Sequence, residues 1–180
     1  MAACGDSDTR DAAAQAPVQV DTTLYGHRYQ FPNMDPALDD ILTNWSIFLD
    51  FRARSSELHD LKLEPLRQKI NLIQAHADTM RVRLPDTLNT SAIDSRLRII
   101  STRISLLKQE VAKDRINPAS IENEIGETNE AIKNFYVQLN EKIQKDAIDR
   151  SRTESEQAEL KKQQRFRDSI FELELQDQNN

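Results

Sequence analysis

Residues Leu66 to Ile143 read LRQKINLIQAHADTMRVRL, PDTLNT, SAIDSRLRIISTRISLLKQEVAKDRI and NPASIENEIGETNEAIKNFYVQLNEKI in succession. The apolar residues of this stretch recur at alternating steps of four and three, in three consecutive sets. The sets are Leu66, Ile70, Ile73, Ala77, Met80 and Leu84, then Ile93, Leu97, Ile100, Ile104, Leu107 and Val111, then Ile121, Ile125, Thr128, Ile132, Phe135, Leu139 and Ile143. An average step of about 3.5 residues is typical of helices that pack along a coiled-coil seam. The stretch therefore predicts three helices that fold back on one another.

Two turn signals separate the three sets and predict where the helices end. The first runs from Pro85 to Thr90, and the second runs from Arg115 to Pro118. Ser91 is the expected N-cap of the second helix, because a serine hydroxyl can accept from a free backbone N–H of the first turn. These signals predict helices over about 91–116 and 118–176.

The chain ahead of the first set extends the same pattern towards the N-terminus. Asp35 and Pro36 predict a helix start, since Asp is a favoured N-cap and Pro fits the first helical turn. The four-three pattern then continues, through a short polar section, so the prediction is one long helix over about 36–84. Pro65 is expected to kink this helix, because it lacks an N–H and clashes with the preceding turn. The alternative is a true break near Arg52–Glu57.

The chain beyond Ile143 becomes polar, but it contains no Gly or Pro that would end a helix. The preferred prediction is therefore one continuous third helix to about residue 176. Thr153 and Glu156 have the spacing of a capping box, so a fourth helix that starts there is the alternative. A late apolar cluster follows, made of Phe166, Ile170, Phe171, Leu173 and Leu175.

Composition and charge agree with an all-α, elongated antiparallel bundle or coiled coil of three long helices. The 180 residues are 38% hydrophobic and 30% charged, and they include only 3 Gly. A narrow apolar seam with a large solvated surface fits these proportions, and scarce glycine disfavours the tight turns of β-rich folds. The net charge is −6, and basic residues alternate with acidic ones along the helices, so no nucleic-acid partner is expected.

The N-terminal residues Met1-Ala2-Ala3-Cys4-Gly5 resemble the lipobox of bacterial lipoproteins, although Met1 stands where Leu is usual. The resemblance implies that Cys4 carries a lipid in the native precursor and that the protein is anchored in a bacterial cell envelope, at the outer membrane on its periplasmic or surface face. Cys4 is also the only cysteine, and a polar stretch follows it. We expect residues 1–34 to be a lipid-attachment site with a flexible linker, and residues 35–180 to form the helical bundle.

A search for catalytic or metal-binding patterns finds none that is well formed. His27, His59 and His76 are too far apart in sequence for two of them to share an ion on one helix. Cys4 has no positioned base, and no glycine-rich phosphate loop is present. The sequence therefore predicts no enzyme activity, no metal site, no cofactor and no small-molecule substrate.

An aromatic patch near the start of the first helix is wider than a coiled-coil seam requires. Seven of the eleven residues from Ile41 to Phe51 are apolar, whereas a seam needs about two positions in seven. Within this patch, Ile41, Trp45, Phe48 and Phe51 are the predicted contact site for another protein or a second copy. The alternative is cover from within the chain, by the aromatic segment Tyr25–Phe31 or by the C-terminal tail.

These features predict a non-enzymatic, membrane-tethered helical interaction or spacer protein of a bacterial cell envelope. The alternative is a periplasmic holdase-type chaperone that binds apolar segments of unfolded proteins. Helical-hairpin chaperones of the envelope carry a Leu-Thr-x-x-Gln motif, and Leu42-Thr43-Asn44-Trp45-Ser46 departs from it at the final residue.

Overall fold

The computed structural model describes residues 23–26 and 28–178, and this part of the chain is all-helical, with no strand. Five α-helices follow one another as α1 (Asp39–Asn44), α2 (Ser46–Ser55), α3 (Leu63–Val82), α4 (Ser91–Val111) and α5 (Pro118–Gln178). Short 3-10 helices cover Pro36–Leu38 and Asp86–Leu88. The all-α prediction is therefore confirmed, but the three predicted long helices are five helices of very unequal length.

The predicted long helix over 36–84 is wrong, because the chain leaves helical geometry twice within it. Trp45 has φ −103° and ψ 66°, which separates α1 from α2. A second connection spans residues 56–62 and contains Asp60 at φ 50°, a left-handed conformation that Asp tolerates better than most residues. The alternative of a true break near Arg52–Glu57 is confirmed, since α2 ends at Ser55.

Pro65 does not kink a helix, because it lies in the first turn of α3. The first helical hydrogen bond of α3 runs from the Leu66 amide to the Lys62 carbonyl, at 3.0 Å. An N–H at position 65 would have had no helical partner, so its absence costs nothing. The polar residues that occupy seam positions between α2 and α3 give the chain no apolar face to continue through this region.

Helices α3 and α4 form an antiparallel hairpin, as their side-chain contacts show. The Ser105 hydroxyl donates to Gln74 at 3.2 Å, the Ser101 hydroxyl donates to Asp78 at 3.1 Å, and Arg81 pairs with Asp94 at 3.0 Å. Residue numbers rise along one helix as they fall along the other. The N-cap of α4 is Thr90, whose hydroxyl accepts from the Ile93 amide, so the prediction of Ser91 as the cap is wrong by one residue. Helix α4 also ends at Val111 rather than near residue 116.

Helix α5 has 61 residues and continues without interruption from Pro118 to Gln178. The Asn117 side chain accepts from the Ala119 amide at 3.1 Å and so caps its start. Thr153 lies in mid-helix and donates its hydroxyl to the Asp149 carbonyl at 2.9 Å, so no fourth helix starts there. The predicted helix over about 118–176 is confirmed.

The core follows the three predicted apolar sets. Their side chains are buried, except that Leu84 and Ile143 are partly buried at the ends. Each large apolar side chain removed from water contributes roughly 1.5–3 kcal/mol. Helix α4 packs against both α3 and α5, and α2 packs against α3. Thus the seam predicted from the sequence is the centre of the fold, and α1 and α2 add a second group of core residues beside it.

Residues 24–26 and 28–35, which we term the strap, lie extended along α5. The Tyr25 amide donates to Glu122 at 3.2 Å, the Tyr29 hydroxyl donates to Glu130, and Asn140 binds the end of the strap. Strap and α5 therefore run in the same direction. Residues 24–26 and 28–34 of the segment 1–34, which was predicted to hold the lipid-attachment site and linker, pack on the bundle, in agreement with the alternative that Tyr25–Phe31 covers the helices. Residues 1–22 of that linker, with Cys4, lie outside the described residues.

Candidate interaction surfaces

The aromatic patch predicted as a partner site is part of the core. Trp45 is 3% exposed, Phe48 and Phe51 are fully buried, and Ile41 is partly buried. The prediction that these four residues offer an exposed contact site is therefore wrong. The helix breaks described above are the physical reason, because they let α1 and α2 fold back onto the rest of the chain.

The cover over this patch comes from α5 and from the strap. Phe48 stacks on Trp45 with ring centroids 5.3 Å apart, and it meets the edges of Phe135 at 6.3 Å and Tyr136 at 5.7 Å. From the strap, Phe31 approaches Tyr136 at 5.3 Å. Tilted and edge-on aromatic pairs of this kind are worth about 0.5–1.5 kcal/mol each beyond their buried area. The alternative of cover from within the chain is thus the arrangement observed.

The aromatic cluster and α5 enclose several polar groups. Burial raises the pKa of the Tyr136 phenol, and the nearby Arg52 guanidinium and Ser55 hydroxyl partly oppose that rise. The Trp45 indole N–H and both amide atoms of Asn129 are buried without a hydrogen-bond partner among the described residues. Such groups lose their hydration without compensation, so they are weak points of the core.

Three sets of hydrogen bonds hold the strap. At its start, the Leu24 amide donates to the Leu61 carbonyl at 2.9 Å. At its centre, burial and the hydrogen bond to the Glu130 carboxylate raise the pKa of Tyr29, while that same bond, with help from Lys133, lowers the pKa of Glu130. At its end, the Asn140 side chain accepts from the Asp35 amide and donates to the Asn33 carbonyl, both at 2.9 Å. No local pattern indicated these hydrogen bonds, because the contacts of Tyr29, Asn33 and Asp35 join residues about a hundred positions apart.

A surface groove of about 590 Å³ lies between the strap and α2. Its walls contain two arginines, Arg28 and Arg52, together with Phe31 and the part-exposed Leu49, and no acidic residue lines it. A groove of this composition attracts anions, but it is wide open to solvent. It therefore lacks the enclosure that a small-molecule site normally has.

The described residues contain no group of three or more His, Cys, Asp or Glu side chains placed to hold a metal ion. His59 lies 3.2 Å from its neighbour Asp60, and the Nδ1 atom of His76 lies 2.6 Å from the Leu72 carbonyl of its own helix. The two histidines thus make local contacts only. His27 and Cys4, which the sequence analysis also considered, lie outside the described residues.

The C-terminal half of α5 leaves the bundle, and we term residues 150–178 the arm. Every side chain of the arm that the structure describes is exposed. At about 1.5 Å per residue, the arm is roughly 43 Å long. It displays large apolar side chains to solvent, with Phe166 at 66% and Phe171 at 61% exposure. This late apolar cluster is evident from the sequence, but its spacing does not indicate that it lies exposed.

The arm has little internal support for a helix that stands alone. In its described part, Arg152 pairs with Glu156 at 3.7 Å and, across the boundary of the arm, with Asp149 at 3.8 Å. Exposed pairs of this type contribute about 0.3–0.5 kcal/mol each. Helices in proteins gain most of their stability when an apolar face packs against another element. The described apolar side chains of the arm have no such packing.

No described helix is long and apolar enough to cross a membrane. Comparisons of this chain with protein-family models, with curated proteins and with solved structures find no match.

Proposed function

We propose that the chain is a non-enzymatic, membrane-tethered helical interaction protein of a bacterial cell envelope, and that the arm is its contact surface. In this proposal α3, α4 and the first half of α5 pack as a coiled-coil body, and this body supports the arm. The observation that carries the proposal is the run of exposed side chains on the arm, which includes Phe166 and Phe171. Exposed apolar clusters on soluble domains usually mark contact sites.

The exposed apolar side chains of the arm favour binding to a partner, because burying them would stabilise the helix. The arm continues from the packed half of α5, so it needs no separate nucleation, but no packed face stabilises it beyond the boundary of the bundle. A partner that covers Phe166, Ile170 and Phe171 would supply the missing packing. Aromatic side chains are the most effective anchors of such contacts.

The tether of the proposal is Cys4, on the strength of the lipobox resemblance. Stable anchoring by lipid chains would place the body beside a membrane without any spanning helix. The measurement is membrane partitioning of the protein expressed with its full precursor in a bacterium. The wild type is expected in the membrane fraction, and Cys4→Ala is expected in the soluble fraction. A soluble wild type with an unmodified thiol would refute the tether.

The contact surface is tested separately, by a photo-crosslinking amino acid placed in the same cells. At Phe171 on the arm, we expect one discrete conjugate band. At Leu49, which is similarly apolar and 41% exposed on the bundle, we expect none. Equal labelling at the two positions, or none at Phe171, would contradict a role for the arm.

The holdase alternative is favoured by the same exposed phenylalanines, since they could bind unfolded apolar segments. A holdase would give a ladder of conjugates at Phe171 instead of one band. The purified protein would also suppress the aggregation of an unrelated denatured protein, and Phe166→Ser with Phe171→Ser would abolish that suppression.

A further inference from the structure

We propose that the partner of the arm is the arm of a second copy, bound antiparallel with its crossing point near Asp168. This inference rests on the proposed function, because it names the occupant of the same surface. Two observations support it: the order of charges along the arm, and the face on which the apolar residues lie.

The charges of the outer arm fall into two blocks of opposite sign. Residues 161–167 contain the basic side chains Lys161, Lys162, Arg165 and Arg167 and no acidic one. Residues 168–178 contain the acidic side chains Asp168, Glu172, Glu174 and Asp177 and no basic one. A parallel, in-register pair would place like charges opposite each other. An antiparallel pair that crosses where the blocks meet places the basic block of each copy beside the acidic block of the other.

Four residues of the outer arm form a single ridge that is complementary to itself. Lys162, Phe166, Ile170 and Glu174 follow one another at steps of four, so they lie along one side of the helix, and all four are exposed. In a pair that crosses near Asp168, Phe166 of one copy lies level with Ile170 of the other. Lys162 of one copy then lies level with Glu174 of the other, and the same pairs recur across the two-fold axis.

This ridge places the apolar pair in the centre and the charges at both ends. Ridges spaced by four residues are the ones that interdigitate in the commonest class of helix packing. The contact is isologous, so it closes with two copies and does not propagate into a filament. The arm therefore carries the features that a two-fold contact requires, and each copy covers Phe166 and Ile170 of the other.

Charge reversal tests the pairing directly. All samples are the full chain with Cys4→Ser, so that no disulfide between copies contributes, and dimerisation is measured by sedimentation equilibrium. Lys162→Glu and Glu174→Lys each set like charges at both ends of the ridge, so each variant alone is expected to dimerise at least about tenfold more weakly than the Cys4→Ser parent. An equimolar mixture of the two variants restores both opposite-charge pairs, and so does the double reversal Lys162→Glu with Glu174→Lys in one chain.

Two further variants test whether the ridge forms the contact. Lys161→Glu, which changes the charge of the basic block identically but lies off the ridge, is expected to weaken dimerisation much less than Lys162→Glu. Phe166→Ser with Ile170→Ser is expected to abolish it. A parent that stays monomeric at its solubility limit would overturn the inference, and so would a double reversal that stays as weak as its single variants. A photo-crosslinking residue at Phe166, on the ridge, that captured a different protein in cells would refute the self-pairing, while the arm would remain a contact surface.

Discussion

Asn129 shows how a single buried side chain can weaken this core. It is 1% exposed, and neither atom of its amide has a hydrogen-bond partner among the residues described. Its neighbour Thr128 is equally buried, but the Thr128 hydroxyl donates to the Glu124 carbonyl at 2.8 Å. Both side chains lose their hydration on folding, but only Thr128 gains a hydrogen bond in return.

Asn129→Leu is therefore expected to stabilise the protein. Leu has the same branching and number of side-chain heavy atoms and no polar atom, so the substitution removes a desolvation cost of about 1–3 kcal/mol. The measurement is the free energy of unfolding from urea titration. Thr128→Val is the matched control and should give no comparable gain. A loss of stability in Asn129→Leu would show that the amide has a partner, such as a bound water.

Tyr29 and Glu130 predict how the bundle responds to acid. The hydrogen bond from Tyr29 and the charge of Lys133 lower the pKa of Glu130 below its usual value of 4.5. The folded state thus favours the charged carboxylate, and this stabilisation is complete above pH 4.5 and is lost as the pH falls through the lowered folded-state pKa. Glu130 is largely exposed, so solvent screening keeps the effect small.

Tyr29→Phe is accordingly expected to flatten the loss of stability on acidification. The variant lacks the hydroxyl that lowers the pKa of Glu130, so its free energy of unfolding should fall less steeply below pH 4.5. Urea titrations at a series of pH values measure this slope. Tyr136→Phe is the control, because the groups that act on the Tyr136 phenol are Arg52 and Ser55 rather than Glu130. Identical slopes for Tyr29→Phe and wild type would contradict the assignment.

At the scale of the helices, the sequence predicted the elements that are defined by local spacing and missed those that depend on contacts between residues far apart in sequence. Helices α3, α4 and α5 bury faces that repeat every three or four residues, so local spacing was enough to identify them. The break between α2 and α3 was predicted only as an alternative, because polar seam positions indicate it weakly and the contacts that stabilise it are remote in sequence. Leu58 is buried and Leu61 pairs with Leu24, and no local pattern announces either contact.

Ile100→Asp tests the central seam. Ile100 is fully buried in α4, between α3 and α5, so the substitution buries an unpaired charge and should unfold the bundle. Lys108→Asp lies off the seam on the exposed side of the same helix, and it should cost less than about 1 kcal/mol through the helix dipole. Circular dichroism and thermal melting measure both variants. Similar melting of the two would mean that the seam has a different register.

Trp45→Ala tests whether α1 and α2 belong to the same cooperative unit as that seam. The side chain packs on Phe48 and Phe135, so its removal leaves a cavity and should cost about 3–5 kcal/mol. Leu49→Ala, on the exposed side of α2, should change stability much less. Stability curves that were equal for the two variants would place Trp45 outside the core, as the sequence alone had suggested.

At the scale of the whole molecule, the chain divides into a bundle that supports itself and an arm that does not. None of the arm side chains that the structure describes is buried, so the arm contributes nothing to the packing of the bundle. Truncation after Asp149 should therefore leave the midpoint of urea unfolding unchanged relative to the full chain with Phe166→Ser and Ile170→Ser, in which pairing of the arms does not contribute. Ile125 is buried in the first half of α5, so Ile125→Ala should lower that midpoint clearly. A truncated protein that unfolds at lower urea would show that the arm packs against the bundle.

The direction of the strap has a mechanical consequence. The strap begins beside Glu122 near the start of α5, and the arm leaves from the other end of the same helix. At about 1.5 Å per residue, some 80 Å separate Glu122 from the tip of the arm. A pull on the chain ahead of Leu24, opposed by a load on the arm, acts along the axis of α5. The contacts of the strap with Glu122, Glu130 and Asn140 are then sheared together rather than opened one after another, so the fold resists tension in the direction in which a tethered molecule would be stretched.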